Sequence, residues 1–150
     1  MRIVLQRVNH CKLTSDDFES EIGFGLLATV GVSRDDNDKD IEYLARKIVN
    51  LRIFKDEDNK SNLSLMDVHG DIMVVSNFTL QARIGSGTRP DFSKSGDSDE
   101  AYIKYSKLIE EIKKNYPKGR VERGNFKHHM HLSCEFDGPY NLILESENRS

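Results

Sequence analysis

Only two cysteines occur in the chain, Cys11 and Cys134, and neither belongs to a metal-type spacing. That scarcity excludes a purely disulfide-held scaffold, and two such thiols usually serve as small buried hydrophobes. No apolar run approaches the roughly 20 residues that cross a bilayer as a helix, and the N-terminus has no secretory apolar stretch. The expectation is a cytoplasmic protein with no membrane partner. Repeats, low-complexity stretches and interdomain linkers are also missing, so residues 1–150 read as one domain. A chain of that length buries about two-thirds of its unfolded surface. Positive charge is short too. The formal net charge of −3 argues against indiscriminate nucleic-acid binding and predicts no DNA partner. It does not exclude an RNA substrate, because phosphate contacts depend on local surface. Arg83, Arg89, Lys94, Lys118, Arg120, Arg123 and Lys127 all fall in the second half.

What is present is mostly strand. Arg2 to Val8 alternates as a first strand, and a short segment at His10 to Leu13 pairs, through a turn at Asp16-Asp17, with the residues beyond that turn. Gly23 to Val32 is a continuous apolar run, as in a central strand buried on both faces. Asp35 to Asp38 offer N-cap oxygens to a helix with Ile41, Leu44, Ala45 and Ile48 at helical spacing. Leu51 to Phe54 alternates before a polar loop, and strands are expected at 71–76 and beyond Phe78. Residues 83–97, with three glycines and Pro90, form a long irregular loop of the kind that is usually functional or mobile. A second helix starts at Asp97 or Ser98, with Glu100 placed as a capping-box partner. It presents Ala101, Tyr105, Leu108, Ile109, Ile112 and Tyr116, and it ends at Pro117. Strands at 128–135 and 140–145 close the chain. Six to eight strands and two helices predict an α+β domain: an antiparallel, β-barrel-like sheet with both helices packed outside.

Two stretches carry chemistry. Ser76-Asn77-Phe78-Thr79-Leu80 ends the apolar run Ile72 to Val75 with two hydroxyls and an amide. Thr79 acts as a nucleophile only if a base takes its proton. Alternatively, Thr79 and Ser76 hold an ester carbonyl or a developing oxyanion, or simply favour a strand end. Gly138-Pro139 is either a turn before the last strand or a cis bond aiming two carbonyls the same way. On a strand His129 and His131 share a face and His128 lies opposite, so two imidazoles lack the third ligand of a catalytic zinc, and a solvated or RNA-facing basic strand is favoured over a metal. Arg89-Pro90-Asp91-Phe92 joins a guanidinium to an aromatic, a pairing suited to a phosphate or a base.

Taken in order, Met1–Val8, Gly23–Leu27, Lys47–Phe54, Ser76–Leu80, Arg89–Phe92 and Asp137–Pro139 closely resemble the D-aminoacyl-tRNA deacylase family over residues 1 to about 145. The resemblance implies a homodimeric, barrel-like editing esterase without cofactor or metal. Its partner is the 3′ end of aminoacyl-tRNA, from which it hydrolyses D-amino acids or glycine. It implies that Ser76, Asn77, Phe78, Thr79 and Met130 belong to the pocket, with Thr79 and Ser76 catalytic. Thr79 is then a nucleophile, or the substrate's 2′-hydroxyl helps to activate water; the second is favoured. It implies that Gly138 and Pro139 enter the partner subunit's pocket to select configuration, steadied by Arg7.

The chain departs from the family pattern at four places. Asn77 replaces Gln, and Ile84-Gly85-Ser86 replaces a basic stretch. Lys127-His128-His129 replaces a small Gly-Ala pair and the residue after it, and Tyr140-Asn141 replaces Val-Thr. These departures sustain a rival reading, a catalytically altered or silent RNA-binding paralogue. A second rival is a metal-dependent hydrolase using the histidines.

Overall fold

The computed structural model describes residues 1–148. Its first strand, β1 (Arg2–Ser15), runs unbroken through both segments expected there. A two-residue turn at Asp16-Asp17 leads into β2 (Phe18–Ile22), with Ser15 opposite Phe18. Next come β3 (Gly25–Gly31), α1 (Asp38–Asn50), the short hairpin β4 (Phe54–Lys55) and β5 (Ser61–Leu63), and β6 (Asp71–Ser76). Beyond these lie α2 (Ser98–Asn115), β7 (Val121–Arg123) and β8 (His131–Glu145).

The main sheet has the order β2-β1-β3-β6-β7, with β8 on the other side of β1. The antiparallel expectation is corrected here: β3–β6 and β6–β7 pair in parallel. The cause is the position of the helices. Each lies in a connection between neighbouring strands, and such a crossover returns the chain in the same direction. The result is a mixed, nearly closed sheet with two α-helices outside it. The strand expected beyond Phe78 is a 3-10 turn, Phe78–Gln81, and β5 and β7 were not anticipated.

Both helices follow their caps. The Asn37 side chain accepts from the Asp40 N–H at 3.1 Å, and Asp40 accepts from the Asn37 N–H at 2.9 Å. Asp97 accepts from the N–H groups of Asp99 and Glu100. Buried residues Ile41, Leu44, Ile48, Leu108, Ile109 and Ile112 face one sheet surface, where Ile3, Leu5, Leu26, Ala28, Val30, Ile72 and Val74 complete a single cluster. Tyr105 is fully buried there and donates to the Val74 carbonyl at 2.6 Å. Burial pushes its hydroxyl pKa up to about 12.

The opposite surface holds a smaller cluster: Val8, Cys11, Leu13, Ile22, Leu27, Met73 and Val75. Cys11 and Cys134 were expected as separate small hydrophobes. They stand directly opposite each other on β1 and β8, Cα atoms 4.0 Å apart, and are joined as a disulfide. The Met1 ammonium is buried, pairs with Asp36 and donates to Ser146 Oγ at 2.7 Å, which ties the start of β1 to the end of β8.

Candidate active site

At the end of β6 the chain must leave a parallel strand. Asn77 makes that exit local. Its N–H donates to the Val30 carbonyl at 2.8 Å, and its side-chain oxygen accepts from the Thr79 N–H at 3.2 Å and from Thr79 Oγ1 at 2.5 Å. Asn is among the preferred capping residues, so the backbone turns rather than starting a new strand. Gln81 then anchors the turn by donating to the Gly31 carbonyl at 2.7 Å.

Phe78 is left exposed and meets Phe92 edge-on, with ring centroids 5.2 Å apart. The loop at 83–97 is irregular, as expected, yet held. Arg83 and Asp91 exchange backbone hydrogen bonds at 2.8 and 3.0 Å. The Ser93 N–H holds the Asp91 carboxyl below the usual carboxylate range. Arg89 is exposed on this loop.

A cavity of about 890 Å³ opens beside this turn. Ser76, Asn77, Phe78 and Met130 line it, so four of the expected site residues come together. Gln6 and Thr29 contribute from the helix-free sheet surface, and residues 126–129 form the facing wall. Gly124 makes room for that wall: a Cβ there would lie 2.9 Å from the Met130 sulfur. Thr79, Arg7, Gly138 and Pro139 are not in the lining. Hydroxyl and amide groups on one side, imidazoles on the other and exposed aromatic rings suit a polar ester attached to a base.

Gly138 and Pro139 occupy an outward bulge of β8. Gln6 pairs with Asn141 and Val8 with Phe136, so Arg7 alone faces the stretch from Asp137 to Tyr140. The Gly138–Pro139 bond is cis, and both residues are exposed. Gly138 has φ 128°, and a Cβ there would lie 2.8 Å from the Tyr140 nitrogen, so only glycine fits. The buried Arg7 side chain fixes the bulge. It donates to the Ile53 carbonyl at 2.8 Å and the Asp137 carbonyl at 3.3 Å, and its Nε lies 3.5 Å from the Asp137 carboxylate. The Tyr140 ring lies 4.4 Å from the guanidinium carbon.

Gln6, Thr29 and Phe126 were missed as site residues. Thr29 had a readable signal, as the polar residue within the apolar run of β3, whereas Gln6 is one of several polar residues of β1 and had none. Phe126 had none, because its place depends on the turn just after it. His129 and His131 do share a side, with rings 4.9 Å apart, whereas His128 sits in the turn before β8.

Residues 4–145 match the family model for D-Tyr-tRNA(Tyr) deacylase. The D-aminoacyl-tRNA deacylases of Petrotoga mobilis and Thermosipho africanus are 43% and 45% identical over 148 residues, each alignment covering 98% of both chains. The solved c-Myc DNA unwinding element binding protein superposes with a TM-score of 0.90 at 35% identity, covering 97% of this chain and 98% of its own. A probable eukaryotic D-amino acid tRNA deacylase superposes at 0.83 with 17% identity, covering 95% and 97%, which speaks for the fold alone.

Proposed function

The chain belongs to the D-Tyr-tRNA(Tyr) deacylase family, and from that membership we propose that it hydrolyses the ester linking a D-amino acid to the 3′ end of tRNA. Residues 1–150 act as one deacylase domain, working in the cytoplasm as a homodimer, without cofactor or resident metal. The substrate range includes glycyl-tRNA formed on tRNA-Ala, because glycine offers no side chain to reject.

The observation that carries this reading is the split site. Ser76, Asn77, Phe78 and Met130 line the cavity, while Gly138 and Pro139 project from an anchored bulge outside that lining. A motif so firmly held and yet exposed suits insertion into a second protomer's cavity. The exposed β8 residues Leu132, Phe136 and Ile143 supply apolar surface for that contact. There the Gly138-Pro139 backbone meets an L side chain but leaves a D side chain free. Rejection by steric clash needs no side-chain recognition, so many D-residues pass.

Ser76 meets the ester from the cavity lining as a hydrogen-bonding group, and Thr79 supports it from just outside the lining through the Asn77 side chain. The Thr79 proton is donated to the Asn77 amide oxygen, which is not a base, so Thr79 is poorly set up as a nucleophile. Water attacks instead, oriented by the terminal ribose 2′-hydroxyl. Thr79→Ala accordingly retains substantial activity; complete loss with an intact fold would restore the nucleophile.

The deciding experiment incubates purified protein with D-Tyr-tRNA and L-Tyr-tRNA and follows each ester. Faster loss of the D-ester is expected. Equal rates would leave a silent RNA-binding paralogue.

A further inference from the structure

We propose that Tyr140 is a positioning residue for chiral selection: its ring closes on the Arg7 guanidinium and stiffens the Gly138-Pro139 bulge against an incoming L-amino acid. The inference rests on the deacylase reading above. A selector that works by steric clash is only as strict as its backbone is unyielding. If the bulge gives way, an L side chain enters beside it, whereas a D side chain, which points elsewhere, gains nothing.

Strand pairing does not hold the bulge. Among the described residues, Asp137 to Tyr140 have no register partner on β1, because the ladder breaks between Gln6–Asn141 and Val8–Phe136. One buried side chain, Arg7, sets their place by donating to the Asp137 carbonyl at 3.3 Å and to the Ile53 carbonyl at 2.8 Å. Its other edge is loosely met. Arg7 Nε lies 3.5 Å from the half-exposed Asp137 carboxylate and makes no hydrogen bond among the described residues. A buried cation so thinly paired is costly to keep unless something covers its face.

Tyr140 covers it. The ring centroid lies 4.4 Å from the guanidinium carbon, within cation–π range, and the same side chain packs on the helix-side core. Each hydrogen bond of Arg7 is a pivot. A ring over the guanidinium carbon blocks the tilt that would swing Nη2 away from the Asp137 carbonyl. Bulge, guanidinium and ring are one packed unit: a Cβ at Gly138 would lie 3.3 Å from Tyr140 Cβ and 3.5 Å from Arg7 Nη2. Tyr140 is outside the cavity lining, so it acts through the bulge and not on the ester. Valine, which the family pattern has at this position, offers no such face, so the closure belongs to this chain.

The test measures hydrolysis of D-Tyr-tRNA and L-Tyr-tRNA by wild type, Tyr140→Phe, Tyr140→Leu and Tyr140→Val, with thermal melting and gel filtration to check fold and assembly. Phenylalanine keeps the ring face and should keep wild-type discrimination. Leucine keeps most of the bulk without the face. The Leu and Val variants should therefore lose preference for the D-ester by about 5- to 30-fold, the size of one desolvated cation–π contact. The loss should come from faster cleavage of the L-ester, with kcat/KM for the D-ester staying within about 2-fold of wild type. A merely structural ring would move both esters together, or the melting point alone. Unchanged preference in the Leu and Val variants, or a parallel fall of both rates, would overturn the positioning role. A loss in Tyr140→Phe as large as in Tyr140→Leu would overturn it too, because the hydroxyl and not the ring face would then be at work. A wild type without preference for the D-ester would overturn the deacylase reading itself, and the inference with it.

Discussion

The two surfaces of the main sheet are built from the same strands and finished in opposite ways. Along β3, Leu26, Ala28 and Val30 face the helices, whereas Leu27 and Thr29 face the other side. On β6, Ile72 and Val74 turn to the helices, and Met73 and Val75 turn away. The helix-covered surface is sealed by two amphipathic helices whose buried residues repeat at helical spacing. The other surface is closed at one end by the curl of β1 and β2 and left open over Gln6 and Thr29, where the cavity lies. Period-two alternation thus builds two cores, and the one without helices is left unfinished where a ligand needs room.

The sharpest way to break this contrast is to remove one leucine from each surface. Leu44 is fully buried between α1 and the sheet. Leu44→Ala should cost about 2–5 kcal/mol, because the lost contacts leave a cavity that packed neighbours cannot fill. Leu132, 40% exposed on the open side, should cost less than about 0.5 kcal/mol on the same substitution. Urea unfolding of both variants checks this. Comparable losses would mean that the open side is as finished as the covered one. If the homodimer forms there, Leu132→Ala should also weaken the dependence of the unfolding midpoint on protein concentration, because a looser dimer adds less stability by mass action.

The covered surface was legible in the sequence, and the open one only partly. Helix stripes such as Ile41, Leu44 and Ile48, and the runs 25–31 and 71–76, declare their burial through composition and period. The parallel pairing of β6 was not legible, because direction depends on where a crossover helix lands and not on any residue of the strand. Asn77 hid the turn at 78–81: its capping oxygen outweighs the strand preference of Phe78 and Thr79. The contact of Tyr140 with Arg7 joins residues far apart in sequence, so no local pattern announces it. Ser76 and Gly138 stand out as candidates from the residues themselves, Phe78 and Arg7 only through the family resemblance, and the bulge that sets Gly138-Pro139 outside its own cavity needed coordinates.

A medium effect probes the polar group inside the covered core. Tyr105→Phe should cost about 1 kcal/mol, since one buried hydrogen bond is lost. It should not reach the penalty of an orphaned carbonyl, because the Gly124 N–H also donates to the Val74 oxygen, at 3.0 Å. The same variant carries a pH signature. The Tyr105 pKa is raised by burial to about 12 from an ordinary 10.0, so the folded state disfavours the phenolate. Its contribution is intact below the unfolded pKa and is lost as pH climbs from about 10 to 12, at roughly 1.4 kcal/mol per unit. Wild type should therefore lose its advantage over Tyr105→Phe between pH 8 and pH 11 in parallel urea titrations. A constant difference would mean that water reaches the hydroxyl.

The smallest effect tests whether the open surface carries a residue chosen against stability. Lys127 holds φ 70° in the wall of the cavity, a left-handed conformation that costs a side-chain-bearing residue about 1–2 kcal/mol. Glycine adopts it freely but loses more entropy on folding, by about 0.5–1 kcal/mol. Lys127→Gly should therefore stabilise the fold by up to about 1 kcal/mol, whereas Lys127→Ala, which keeps the strain, should change it by less than about 0.5 kcal/mol. Urea midpoints of the two variants decide it. A gain with glycine alone marks backbone strain held at the cavity wall, where the helix-covered residues hold none. Equal shifts in both would place the cost in the lysine charge, and the two surfaces would then differ in packing but not in strain.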